Sequence, residues 1–177
     1  QTASGEDVAL VIHGRTAGED QDNPDKPGSY KLTRTEEDLI RKVSSQFSRT
    51  AVILNVGNII DMKWVREFDP AAVLYAWQGG QEGGNGVCDV LMGRVNPCGK
   101  LTDTIAEDIS DYPSTSNFGD LQKNYYKEDI YVGYRYFETF AIDKVLYPFG
   151  FGLSFTSFDV QASAEGKDGA PVCGKAR

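Results

Sequence analysis

Apolar residues in the first half of this chain fall into short unbroken runs, separated by polar loops and amphipathic stretches. Asp7–Gly14 (DVALVIHG), bounded by Gly5 and Gly14, has the form of a buried strand. A polar loop follows from Arg15 to Tyr30, punctuated by Gly18, Pro24, Pro27 and Gly28. Thr33 with Glu36 three residues on predicts a capped helix start, and Leu39, Ile40, Val43 and Phe47 recur on one helical face. Ala51–Val56 (AVILNV) predicts a second strand, Asp61 to Phe68 a short helix, and Ala71–Trp77 (AAVLYAW) a third strand. A glycine-rich turn, Gly79 to Gly84, leads into a third helix over Asn85 to Met92.

Alternating strands and helices build a parallel sheet with right-handed crossovers. The near-continuous apolar strands imply that both faces of the sheet are covered. The expected fold class is therefore α/β: an open, mostly parallel sheet with helices on both faces, a three-layer α/β sandwich. Sites in such sheets lie beyond the carboxyl ends of the strands. Here that position belongs to Arg15–Tyr30, Gly57–Ile60 and Gln78–Gly84.

The second half reads differently. Asp103 to Asp129 is polar and is expected to be a long loop. Tyr131–Phe137 (YVGYRYF) is aromatic-rich and reads as a strand. Tyr147–Phe158 (YPFGFGLSFTSF) reads as a turn into a last extended piece, and the small, polar residues that follow as a tail. The expected division is a domain over residues 1–158 and a tail, or the start of a following domain, over 159–177.

At 177 residues, the chain has room for one domain. Its formal charge of −8 opposes a nucleic-acid partner, and no apolar run is long enough for a membrane span. Cys88, Cys98 and Cys173 form no CxxC pair, and His13 is the only histidine, so a zinc site of the usual Cys/His kind is not expected, and no cofactor is expected either. The odd cysteine count and the lack of a basic-then-apolar leader favour a cytoplasmic location over secretion.

The loop after the first strand holds the densest candidate chemistry. Glu19, Asp20 and Asp22 follow Arg15 within GRTAGEDQDN, and clustered carboxylates raise one another's pKa, as a general acid requires. A solvated acidic loop or a weak calcium site would use the same residues. The turn QGGQEGGN lacks a dinucleotide or Walker fingerprint, and close backbone packing is its expected role. Tyr125, Tyr126 and Trp77 are candidates to stack on a sugar, against the plainer role of core aromatics. His13, at the end of a strand, reads as structural.

These segments, in this order, resemble the α/β sandwich domain of glycoside hydrolase family 3, the β-glucosidase family. The resemblance runs from about Asp7 to Phe158. Its strongest stretch is Ala71–Leu101 (AAVLYAWQGGQEGGNGVCDVLMGRVNPCGKL), similar to the family's apolar strand, G-x-E-G/S-G-N and A-D-V-L-x-G-x-x-N-P-S-G-K-L-P. The ending VLYPFGFGLSFTSF is similar to the family's Y-P-F-G-x-G-L-S-Y-T-x-F. Cys98 stands where the pattern has Ser and Thr102 where it has Pro, departures that touch packing rather than chemistry.

The resemblance implies a retaining glycosidase with two carboxylates about 5 Å apart. It implies that the nucleophile is an Asp on a (β/α)8 barrel, which needs about 250 residues and is absent from this chain. The acid/base, matched through the S/A-G-E pattern to TAGED, is Glu19. Beside it, Asp20 and Asp22 are expected to tune its pKa or hold the loop; Arg15, Asp20, Asp22, Trp77, Tyr125 and Tyr126 are the candidate substrate-binding residues, with Trp77, Tyr125 and Tyr126 on the aglycone side. The implied substrate is a terminal β-glucoside or related oligosaccharide, with the chain alone inactive. Two other classes share the fold: a non-catalytic carbohydrate-binding or structural module, and a flavodoxin-like nucleotide-binding or receiver domain.

Overall fold

The computed structural model describes residues 7–16, 22–157 and 159. Three strands, β1 (Val8–Gly14), β2 (Arg49–Asn55) and β3 (Ala72–Tyr75), form a parallel sheet in the order β1-β2-β3. Helix α1 (Arg34–Gln46) connects the first pair and the short α2 (Trp64–Phe68) the second. Sequential strand order places both crossovers on one face, because parallel crossovers share a hand. Ile40 of α1 and Trp64 and Phe68 of α2 accordingly join Val11, Val52 and Leu54 in one buried cluster, closed at the edge by Leu32, Ile60 and Met62.

The α1 boundary is set by the predicted capping box. Thr33 Oγ1 accepts from the Glu36 amide, and the Glu36 carboxylate accepts from the Thr33 amide. Its buried stripe is narrower than the periodicity suggested. Ile40 and Val43 face the core, whereas Leu39 lies at the stripe's margin and is exposed, and Phe47 serves as C-cap.

The α/β class holds, but the two faces of β1 are unequal. Val11 is 4% exposed and His13 4%, whereas Leu10 is 53% and Ile12 68% exposed. On the same face as Ile12, the paired Ile53 of the central strand is buried. Among the described residues, β1 lies at the sheet edge and carries an uncovered apolar row of Val8, Leu10 and Ile12.

After β3 the chain turns through Gly79, where a Cβ would meet the Gly83 Cα at 2.6 Å. Close backbone approach is thus the role of this glycine, and α3 (Gly83–Leu91) follows. The segment expected to be a long loop contains β4 (Ile105–Ala106) and two short 3-10 turns, over Ile109–Asp111 and Pro113–Ser116. Strand β4 pairs antiparallel with β5 (Val145–Tyr147).

Tyr131–Phe137 is not a strand. The chain enters α4 (Tyr134–Phe140) through Gly133, whose φ of 59° lies in the region that favours glycine. The aromatic content suggested β structure, but burial follows a helical interval: Phe137 and Ala141 are buried together with Ala106, beneath Tyr112 and Tyr136.

The two stretches that carry the family resemblance meet in space. Leu101 N–H donates to Phe151 O at 2.8 Å, and Gly150 N–H donates to Leu101 O at 2.8 Å. Asn96 Oδ1 accepts from Ser154 Oγ at 3.0 Å and from the Phe155 amide at 2.8 Å, and Lys100 Nζ donates to Gly152 O at 2.5 Å. A Cβ on Gly152 would lie 2.5 Å from Gly99 O, so this crossing requires glycine. The departures from the family pattern sit outside it: Cys98 and Thr102 are both exposed.

Candidate active site

Strands β1 and β2 end side by side at Gly14 and Asn55, and a cleft of about 380 Å³ opens beyond their carboxyl ends. Arg15 and Thr16 line it from the exit of β1; Val56, Gly57, Asn58 and Ile60 line it from the exit of β2. Asp22–Pro24, Lys26, Gly28 and Ser29 close the remaining side. Gly28 turns the chain back with φ of 82°, and its amide donates to Lys31 O at 2.9 Å. Tyr75 on β3 donates its hydroxyl to Asn58 O at 2.5 Å, steadying the β2 exit from the third strand.

The cleft is anchored by a cluster of charges at its base. Arg15 grips Glu36 with both ends of its guanidinium, Nη1 to Oε1 at 2.6 Å and Nη2 to Oε2 at 2.8 Å. Such a fork is the strong form of ion pair. Arg15 Nε donates to Ser29 O at 3.2 Å, so this side chain joins the β1 exit, the far side of the loop and the first turn of α1. Burial works to raise the Glu36 pKa, but the hydrogen bonds from Arg15 and Thr33 overcome it and hold it down to about 2. The Glu36 anion also sits in the first turn of α1, where the helix dipole favours it.

His13 lies beneath this pair with Nδ1 3.6 Å from Glu36 Oε1, and its buried Nε2 has no hydrogen-bond partner. Burial lowers its pKa; the Glu36 carboxylate opposes that shift and the Arg15 charge adds to it. A buried imidazole of lowered basicity suits a support and agrees with the structural reading of the sequence. Among the described residues no three His, Cys, Asp or Glu side chains are grouped to hold a metal ion, and no helix is long and apolar enough to cross a membrane.

The sequence-derived candidates divide into groups. Arg15 and Asp22 line the cleft. Glu19 and Asp20 lie outside the described residues, in the segment between Thr16 and Asp22. Trp77 does not line the cleft; it packs on Tyr75 with ring centroids 4.4 Å apart, in a left-handed conformation with φ of 54°. Tyr125 and Tyr126 line a separate hollow of about 330 Å³ with Asn117, Phe118 and Asp120. The glycine-rich turn after β3 takes no part in the cleft lining.

Glu36 is the residue that sequence reasoning missed. Its capping role accounted for it locally and hid the long-range contact. The signal was nevertheless present. A helix that follows a strand in a βα unit begins at the strand's carboxyl end, so the first turn of α1 and the residue after β1 share one edge of the sheet.

Comparison with known proteins places this architecture. Residues 1–155 match the family described as "Glycosyl hydrolase family 3 C-terminal domain". The chain is 54% identical over 180 residues to a beta-glucosidase of Ruminococcus albus, covering 100% of this chain and 19% of that protein. It is 38% identical over 160 residues to the thermostable beta-glucosidase B of Acetivibrio thermocellus, covering 90% of this chain and 21% of that protein. The crystal structure of a beta-glucosidase from Paenibacillus barengoltzii superposes with a TM-score of 0.84 at 55% identity, over 89% of this chain and 18% of that one. Beta-glucosidase 3B from Thermotoga neapolitana, in complex with glucose, gives 0.81 at 40% identity, over 92% and 24%. The chain thus spans about a fifth of the length of these relatives.

Proposed function

The chain belongs to glycosyl hydrolase family 3, as its C-terminal domain, and we propose that within the complete protein it supplies the general acid/base for retaining hydrolysis of terminal β-glucosidic bonds. The observation that carries this reading is the cleft at the carboxyl ends of β1 and β2. Thr16 and Asp22, the described residues that flank residues 17–21 in the chain, both line this cleft, and Glu19 lies between them in sequence.

In this reading Glu19 donates its proton to the glycosidic oxygen as the bond to the anomeric carbon breaks. A carboxylate nucleophile, expected on a (β/α)8 barrel in the rest of the protein, takes that carbon covalently. Glu19, now ionised, then removes a proton from the water that hydrolyses the glycosyl-enzyme. The bidentate hold of Glu36 on Arg15 bears on this chemistry. A free guanidinium beside the loop would favour ionised carboxylates and work against a protonated acid; a paired one does so less.

The test is Glu19→Gln in the complete protein. Turnover of cellobiose, whose leaving group needs a proton, is expected to fall by about 10²-fold or more. Hydrolysis of 2,4-dinitrophenyl β-glucoside, whose leaving group does not, should fall far less. Near-normal cellobiose turnover by the variant removes Glu19 from the role.

A further inference from the structure

We propose that the hollow beside Tyr125 and Tyr126 is a binding site for a single uncharged sugar ring, a pyranose stacked by its C–H face on an aromatic side chain and held at its hydroxyls by the amide and carboxylate groups around it. The proposal stands on the lining of that hollow and not on the acid/base reading of Glu19.

The hollow, of about 330 Å³, lies between residues 114–120 and residues 124–132. Its size is at the lower end of the range of small-molecule pockets, about 300–1,000 Å³, and suits one ring rather than a chain of them. Two cross-ties hold its walls together: Asn117 Nδ2 donates to Tyr125 O at 3.1 Å, and Lys127 Nζ to Ser116 Oγ at 2.6 Å.

Its aromatic side chains differ from those nearby. Tyr131, Tyr134 and Tyr136 each pair with a phenylalanine ring, at centroid distances of 4.8, 4.7 and 5.3 Å. Phe118, Tyr125 and Tyr126 line the hollow and remain 65%, 54% and 89% exposed. A tyrosine ring that serves no core keeps an apolar face and a polar tip available. That combination matches a ligand that is apolar on one side and hydroxylated around its edge.

The polar groups of the lining narrow the ligand further. Asn117 brings an Oδ1 that is buried and has no hydrogen-bond partner, and an acceptor in that state gains from any donor the hollow admits. Asp120 uses Oδ1 for the amides of Gln122 and Lys123, at 2.8 and 3.1 Å, which leaves Oδ2 for a ligand. Asp120, Glu128 and Asp129 line the hollow against one ammonium, that of Lys127, which is already bonded to Ser116. This excess of carboxylates opposes a phosphate or an acidic sugar. Carboxylates and amide oxygens accept hydroxyl protons, which a pyranose offers at several positions around its ring. An ammonium ligand has one polar centre, whereas these acceptors stand on both walls, and it would meet the Lys127 charge as well.

Hydrogen exchange of the complete protein, read by mass spectrometry in peptides covering residues 114–132, tests this. The probe is methyl 1-thio-β-glucoside, which is uncharged and resists hydrolysis. Saturable slowing of exchange in those peptides is expected. Tyr126→Ala should raise the half-saturating concentration about fivefold or more, while Tyr126→Phe, which keeps the ring, should stay within about twofold of the parent. Because the Tyr126 side chain is almost wholly in solvent, the alanine variant should melt with the parent, so that its weaker binding is not a loss of fold.

Slowing confined to other parts of the protein would overturn the proposal, as would a Tyr126→Ala curve that coincides with the parent's. Peptides that exchange slowly from the outset and ignore the glucoside would show the rest of the protein seated on the hollow, and would overturn it too. Glucuronate acting as well as the glucoside would overturn the uncharged class, and choline acting in its place would give the hollow to a cation and overturn the sugar. Hydrolysis is not read at any point, so failure here leaves the acid/base reading of Glu19 standing.

Discussion

The two long polar segments of this chain are held by different means. The described residues of the Arg15–Tyr30 segment are fastened to elements outside it: Arg15 to α1 through Glu36, Asn23 to the β2 exit through Ile59 O, and Tyr30 O to the Asp61 N–H at 2.8 Å. Tyr30 and Leu32 are buried. The segment from Ser114 to Val132 is fastened mostly by near neighbours in sequence, with Thr115 Oγ1 donating to Ile109 O at 2.5 Å and Tyr131 packing on Phe140 with ring centroids 4.8 Å apart. Asn117 Nδ2 donates to Tyr125 O at 3.1 Å, Lys127 Nζ to Ser116 Oγ at 2.6 Å, and Asp120 Oδ1 accepts from the amides of Gln122 and Lys123. Leu121 is 100% and Tyr126 89% exposed. Ties to rigid elements and ties between sequence neighbours open at different free energies, so the two segments should differ in how readily they open.

The sharpest way to break this contrast is to undo the small core under the second segment. Phe137→Ala should cost about 3–5 kcal/mol, because Phe137 is fully buried against Ala106, Tyr112 and Ala141. Denaturant titration reads the loss, and limited trypsin digestion should show faster cutting after Lys123 and Lys127 with no change after Arg15. Equal acceleration at Arg15 would show that the two segments share one support.

A smaller effect is expected at the cap of the first segment. Thr33→Ala should cost about 1 kcal/mol in a thermal melt. The acid limb sharpens the comparison. Glu36 is held at about 2, below its ordinary 4.5, so its contribution is complete above 4.5 and is lost as pH falls toward 2. Glu36→Gln should flatten that part of the stability curve. Asp108 is also held at about 2, first by the Ser110 amide and hydroxyl and then by Lys63. The Lys63–Asp108 pair is exposed, so about 1 M salt should weaken its contribution more than that of Glu36. Equal salt sensitivity would erase the distinction. The smallest effect belongs to Tyr126→Ala, expected within about 0.5 kcal/mol of the parent because its side chain is almost wholly in solvent.

Much of the parallel sheet was legible because buried strands write themselves as apolar runs. Val8–Gly14, Arg49–Asn55 and Ala72–Tyr75 lie within two residues of the predicted spans at every boundary. Thr33 and Glu36 marked the start of α1 because a capping box is local chemistry. The second half was harder. In YVGYRYF, β-favouring aromatics competed with a helical burial interval, and only the packing of Phe137 and Ala141 against Ala106 decides between them. Of the candidate site, Arg15 and Asp22 could be placed from the strand–loop order, whereas Tyr125 and Tyr126 were grouped with them by chemistry alone and Trp77 by its place at the loop end of a strand. The chain puts Trp77 on Tyr75 and the two tyrosines in another hollow. Glu36 escaped because its partner is distant in sequence.

The uncovered side of β1 has a consequence for handling this polypeptide by itself. Val8, Leu10 and Ile12 present apolar side chains on a seven-residue strand whose outer main chain is unpaired among the described residues. Such an edge is a template for main-chain pairing between molecules, with apolar side chains to seal the contact. At high concentration in dilute buffer the domain alone is therefore inclined to self-associate and come out of solution. A lysine in place of Ile12 would act as a gatekeeper there, leaving Val11 and the core behind it untouched.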